Sequence, residues 1–214
     1  MATRNGTSRS DVLRGTSGSD TINGLGGSDF LYGLSGRDVI KGGAGNDRIF
    51  GGEGNDDLRG ETGNDIVRAG GGNDKVTGGS GNDNLSGEGG VDSLFGDSGN
   101  DRLSGGDGND RLTGGIGFDT LTGGDGSDRF IFKAGDSVAQ RAGNAIISDV
   151  IVDFRGVFQG GTDKIDLTSV PNVIFQTFDV AGGKVLSYQA GPNGVVNEVF
   201  LSGIALINNA DFIT

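Results

Sequence analysis

Gly42 to Arg59 reads GGAGNDRIF-GGEGNDDLR, two copies of one nine-residue unit placed end to end. The same unit runs from Gly15 to Ile131 in thirteen copies without an insertion or a deletion. Each copy has an aspartate at its sixth place: Asp20, Asp29, Asp38, Asp47, Asp56, Asp65, Asp74, Asp83, Asp92, Asp101, Asp110, Asp119 and Asp128. Two places later stands one apolar residue each time, from Ile22, Leu31 and Ile40 through Leu112, Leu121 and Phe130. A nine-residue piece cannot bury a hydrophobic face alone, so a repeat this strict predicts one small unit stacked on copies of itself.

The first half of the unit, rich in glycine and ending in Asn or Ser and then Asp, predicts a tight turn whose carbonyl oxygens can point inward. The second half, such as Arg48-Ile49-Phe50, predicts a three-residue strand with a buried middle side chain. Two units then close one flattened coil of eighteen residues, with two short parallel sheets facing each other across the aliphatic column. That is a parallel β-roll.

Turns on one edge of such a roll come from alternate units, so the aspartates sort into two files. One holds Asp29, Asp47, Asp65, Asp83, Asp101 and Asp119; the other holds Asp20, Asp38, Asp56, Asp74, Asp92, Asp110 and Asp128. Rungs stack at about 4.8 Å. Bare carboxylates that close repel by roughly 1 kcal/mol per neighbour in water and several times more at an effective dielectric near 20. One aliphatic side chain per nine residues offsets little of this, so the files call for a counter-ion. Carboxylate and carbonyl oxygens in a flexible loop, in a chain without His or Cys, specify calcium over zinc or softer metals. Ions held between stacked turns would make folding and metal binding one event.

The unit resembles the calcium-binding nonapeptide of the RTX, or haemolysin-type, repeat family, whose consensus is GGxGxDxUx with U a large apolar residue. The resemblance covers Gly15 to Ile131 and implies an all-β fold: a right-handed parallel β-roll with several calcium ions between turns of alternate units, the thirteen aspartates being metal ligands. Some copies depart from the pattern. Arg37 and Val91 replace the usual Asn or Ser, and Ile116 and Phe118 bring bulk into a late turn, which predicts weaker sites there. Gly6 to Arg14 keeps the register with Asp11 and Leu13 but has Arg9 at the fourth place, and reads as a degenerate capping coil. The expected domains are therefore 1–14, an N-terminal segment with that coil; 15–131, the roll; and 132–214, a C-terminal cap.

With 46 glycines and 33% hydrophobic residues in 214, an ordinary packed globule is excluded. Glycine-rich disorder does not explain a strict phase with an apolar residue in every copy, though it suits the calcium-free state. The formal charge of −12 suggests a basic partner until the files are considered. Eleven neighbouring aspartate pairs, each taking a divalent ion, would more than cancel it. Nucleic acid is not an expected partner, since no basic groove with interleaved aromatics is visible. The absence of cysteine means that no disulfide is needed. Met1 to Asp11 has no apolar core of a signal peptide, and no stretch approaches transmembrane length.

From Arg129 glycine thins out, and short β-rich stretches follow: Ala145 to Phe154, Asp163 to Leu167, Val173 to Phe178, Lys184 to Tyr188 and Val195 to Leu201. They predict an antiparallel β cap that covers the roll's last sheet edges. DRFIF, Asp136-Ser137, DVIVDF and DKIDL, over about Asp128 to Val170, resemble the segment after the roll in secreted serralysin-type metalloproteases and alginate epimerase R-modules. The ending, Val199 to Thr214, is similar to the terminal stretch of many RTX proteins. In that family it is the address for a type I secretion exporter, which implies a secreted, extracellular protein that folds outside.

An enzyme is not expected. Without His there is no HExxH zinc helix and no Ser-His-Asp or Cys-His set, no GxxxxGK[ST] loop occurs, and the carboxylates are periodic rather than a glycosidase pair. Asp107-Gly108-Asn109-Asp110 lies in repeat register and is not an EF-hand. Phe30, Tyr32, Phe50 and Ile66, with Arg48 and Arg68 among them, fall on one outward face. Either a short N-terminal segment or scattered exposure accounts for them, or they form a docking surface for a partner or a second copy. A polysaccharide-binding module for an extracellular enzyme is a rival reading. An ice-binding or adhesin-type module is another, although the third places form no regular Thr row.

Overall fold

The computed structural model describes residues 1–132 and, beyond them, the strand residues 140–142, 145–147, 149–151, 164–166, 174–180, 183–190, 195–202 and 212–213. Two short strands, β1 (Thr3–Asn5) and β2 (Val12–Arg14), open the chain. Twelve six-residue strands follow at nine-residue intervals: β3 (Thr21–Gly26), β4 (Phe30–Ser35), β5 (Val39–Ala44), β6 (Arg48–Glu53), β7 (Asp57–Thr62), β8 (Ile66–Gly71), β9 (Lys75–Ser80), β10 (Asn84–Gly89), β11 (Ser93–Ser98), β12 (Arg102–Asp107), β13 (Arg111–Ile116) and β14 (Thr120–Asp125). The repeats end at β15 (Arg129–Ile131). Odd-numbered strands form one sheet and even-numbered strands the other, each pairing in parallel with the strand eighteen residues away. The result is an all-β parallel solenoid of about seven turns, with no helix among the described residues.

The strands are twice as long as expected. Each runs through the last three places of one unit and the first three of the next, so the glycines of the first two places are sheet and only the fourth to sixth places turn. The cause is that the ladder belongs to the backbone and is supplied by the coils above and below, so a glycine can join it without any strand propensity of its own. Pairing skips the first place of each unit: Leu85↔Leu103 and Ser86↔Ser104 are followed by Glu88↔Gly106. From β3 to β14 the next residue has positive φ, as glycine at Gly43, Gly52 or Gly70 but also as Leu25, Leu34, Glu61, Glu88 and Asp97.

Inside, the apolar column is closed to solvent from Ile22 to Phe130 and extends to Phe132, with Ala69 the one first-place side chain to join it. At the N-terminus β2 extends the even sheet by pairing with β4 and does not lie across its outer face.

Past the repeats the described strands are β16 (Gln140–Ala142), β17 (Ala145–Ile147), β18 (Asp149–Ile151), β19 (Lys164–Asp166), β20 (Ile174–Val180), β21 (Gly183–Ala190), β22 (Val195–Ser202) and β23 (Phe212–Ile213). β18 and β19 join the two sheets in parallel, while β20, β21 and β22 pair antiparallel in order. The connections of the expected cap, Asp136-Ser137 and residues 203–211 of the expected export address lie outside the described residues.

Candidate metal centre

All thirteen repeat aspartates are buried, at 3% exposure or less, and they lie in the two expected files. The geometry of a rung is constant. Asp29 donates its backbone N–H to Asp47 Oδ1 at 2.7 Å, Asp47 donates to Asp65 Oδ1 at 2.7 Å, and Asp65 donates to Asp83 Oδ1 at 2.8 Å. The other file repeats this from Asp20 to Asp38 and onward to Asp92 and Asp110. Each rung is therefore tied to the one before it by a charge-assisted hydrogen bond. The sequence pattern had shown only repulsion between rungs.

The second carboxylate oxygen is different. Oδ2 of Asp29, Asp38, Asp47, Asp56, Asp65, Asp74, Asp83, Asp92, Asp101 and Asp110 is buried and accepts no hydrogen bond. A buried carboxylate oxygen without a partner costs several kcal/mol, so ten in succession need an external positive charge or protons. Burial pushes the carboxyls of Asp65, Asp92 and Asp101 up to about 7 and that of Asp56 to about 6. The N–H donated by the preceding rung opposes the rise, and the neighbouring carboxylates of the file add to it. Asp20, in the first of the thirteen repeats, goes the other way: the Ala2 N–H and the Thr16 hydroxyl and N–H hold it below the usual carboxylate range.

Glycine at the first place keeps the space beside Oδ2 clear. A methyl group on Gly51 would stand 2.5 Å from Asp56 Oδ2 and 2.5 Å from the carbonyl oxygen of Ala69, one coil on. So a carboxylate oxygen and a backbone carbonyl from adjacent coils border one small space. Only at Ala69 is that first place occupied by a side chain. Among the described residues no three acidic, His or Cys side chains meet. The donor set is thus one carboxylate per turn plus carbonyls, all hard oxygen, which fits calcium and no softer ion.

A second ladder was not foreseen. Asn46, Asn64 and Asn82 accept, through Oδ1, the backbone N–H of Asn64, Asn82 and Asn100 at 2.7 to 2.8 Å, and Asn55 and Asn109 do the same for Asn73 and Ser127. It runs opposite to the aspartate ladder, each side chain holding the coil after it. The recurrence of Asn at the fifth place was the available signal; the direction of its bond was not. Arg37 and Val91 interrupt this ladder, so the N–H groups of Asn55 and Asn109 receive nothing from it. Ile116, expected in a late turn, instead ends strand β13; it is 60% exposed and leaves its Asp119 buried like the rest.

The model of the RTX calcium-binding nonapeptide repeat matches in four copies, over residues 5–40, 32–67, 68–103 and 104–139. Among solved structures the chain is similar to the extracellular lipase LipA from Serratia marcescens, at 17% identity and a TM-score of 0.46, covering 98% of this chain and 39% of that one. It is also similar to the R3 and R2 subunits of the Azotobacter vinelandii mannuronan C5-epimerase AlgE6. Both are 26% identical, with TM-scores of 0.28 and 0.29, over 71% and 64% of this chain and 80% and 88% of theirs. No curated protein matches the sequence. The chain spans well under half the length of the lipase.

Proposed function

The chain belongs to the RTX calcium-binding nonapeptide repeat family, and from that premise we infer that its activity is folding itself: it takes up several calcium ions between stacked turns and becomes a roll only when they are bound. The repeat region is a structural calcium-binding module and carries no catalytic set. The observation that carries the reading is the run of ten buried, unpartnered Oδ2 atoms from Asp29 to Asp110. Calcium supplies the positive charge those atoms lack.

The proposed ligands are the thirteen aspartates from Asp20 to Asp128, with turn carbonyls completing each shell; Asp20 differs from the rest in that its Oδ2 already accepts the Thr16 N–H and hydroxyl. Residues 1–14 cap the roll, 15–131 form it, and 132–214 close its other end and carry the export address. The family implies a type I secretion exporter as a partner and an extracellular site of folding, where calcium is plentiful enough for weak loops to fill. No helix among the described residues is long and apolar enough to cross a membrane. We read the whole chain as non-enzymatic.

Circular dichroism of the full chain tests this, with calorimetric calcium titration in parallel. The expected result is coil in excess chelator and cooperative β-structure in millimolar calcium, with several ions bound per chain. A roll that stays ordered in chelator would overturn the reading.

A further inference from the structure

Two turns of the roll are built differently from the rest, and both belong to its first coil. From Leu25 and Gly27 through Gly124 and Gly126 the second and fourth places of every unit have positive φ. Thr7 and Arg9, and Thr16 and Gly18, stand at the same places and do not. The sequence supplies the cause: a β-branched residue is an outlier at positive φ, and a threonine hydroxyl bonds the backbone two residues on. The Thr7 hydroxyl accepts the Arg9 N–H at 3.1 Å, and the Thr16 hydroxyl accepts that of Gly18 at 3.2 Å. Such a turn needs no glycine at its fourth place, which is how Arg9 is accommodated. The strands that lead into these turns, β1 and β2, are three residues long instead of six.

The same threonines engage the carboxylate oxygen that has no partner from Asp29 to Asp110. Thr7 donates its N–H and hydroxyl to Asp11 Oδ2 at 2.6 and 2.9 Å, and Thr16 donates its own to Asp20 Oδ2 at 2.6 and 2.8 Å. That oxygen also sits farther from the first place of its unit. A methyl group on Gly6 or Gly15 would stand 2.9 Å from it, against 2.5 Å or less at each first-place glycine from Gly24 to Gly123. The Asp20 carboxyl is held low by its donors, whereas burial pushes that of Asp38, the next rung of its file, up. The fit to calcium found from Asp29 onward therefore fails at these two rungs: a cation at Oδ2 would face an N–H and a hydroxyl proton already directed there.

We propose that Thr7 and Thr16 replace calcium at the first two rungs, so that the first coil closes without an ion and the two calcium files begin at Asp29 and Asp38. The inference rests on the calcium reading of the later rungs and takes Asp20 out of the proposed ligand set. Asp11 and Asp20 still donate their backbone N–H groups to Asp29 Oδ1 and Asp38 Oδ1, each at 2.7 Å, so the ion-free coil is tied to the next by the same bond as every other. The second coil thus stacks on a first whose Oδ2 atoms are already satisfied.

The test is calcium titration calorimetry of the full chain, with circular dichroism to check that each variant folds. Asp56→Asn should lower the number of ions bound, whereas Asp20→Asn should leave that number unchanged and the calcium midpoint within about twofold. Thr16→Gly, which rewrites residues 15–20 as GGSGSD, should open the closed site and add about one ion. Loss of an ion in Asp20→Asn, or no gain in Thr16→Gly, would overturn the proposal and leave calcium at the later rungs standing. An Asp56→Asn chain that binds as many ions as the unsubstituted one would instead count against the calcium reading itself, and against this proposal with it.

Discussion

Asp65 Oδ1 accepts the backbone N–H of Asp47, eighteen residues earlier, at 2.7 Å, while Asp65 Oδ2, on the same carboxylate, is buried and accepts none. One side chain thus has two separable duties. The first holds the preceding turn; the second awaits a cation.

Asp65→Asn should separate them. Its amide oxygen can still accept the Asp47 N–H, but the charge is gone, so calorimetry should find fewer ions bound and a higher calcium midpoint. Asp65→Ala loses both duties and should cost about 1–3 kcal/mol more in urea unfolding at saturating calcium. Equal behaviour of the two variants would mean that the hydrogen bond carries no weight.

The pH dependence in chelator has a definite sign. Burial raises the carboxyls of Asp65, Asp92 and Asp101 to about 7 in the folded chain, above the ordinary 3.8. A folded state that holds protons more tightly than the unfolded one is favoured at low pH. Any order in the calcium-free chain should therefore be fully present below about pH 4 and be lost as pH rises through about 7. With calcium the trend reverses, because ions must displace those protons: the calcium midpoint should rise as pH falls from about 7 toward 4. Dichroism across that range checks both arms.

Two glycine positions should respond oppositely. Gly63 has φ 126°, and a methyl there would collide with the Gly45 carbonyl and stand 3.0 Å from Asn46 Oδ1, so Gly63→Ala should destabilise by about 2 kcal/mol or more. Gly18 has ordinary φ with its nearest neighbour, the Thr16 hydroxyl, 4.0 Å from the added carbon, so Gly18→Ala should be neutral or stabilise by up to about 1 kcal/mol. Thermal midpoints at fixed calcium distinguish them.

Restoring the interrupted asparagine ladder should help. Val91→Asn places an acceptor before the Asn109 N–H and should raise stability by about 0.5–1 kcal/mol, and Asn82→Ala, which strips the acceptor from Asn100, should lower it by a similar amount. A urea midpoint unmoved in both would show that water serves these exposed groups equally well.

The two aspartate files and the buried column were legible in the sequence because both depend only on phase: a residue that recurs every nine places must recur in space. Strand length was not, because the bonds that make Gly51 or Gly52 part of β6 come from coils eighteen residues away, and nothing local marks them. Leu25 and Leu34 show the same limit. Their side chains suggest strand, while their φ values of 76° and 83° are imposed by neighbours whose glycines accept that geometry freely. The aromatic group at Phe30, Tyr32 and Phe50 was visible as a face, but the seating of Arg14 on Tyr32 depended on β2 extending the sheet.

Because each strand and each aspartate rung answers to a partner eighteen residues away, the protein can change height only in whole storeys. Removing eighteen residues would leave all that remains on its own facade. Removing nine would carry everything beyond the cut to the opposite side, setting arginines from one wall behind aromatics of the other, so inherited length variants of this chain should differ by even numbers of units.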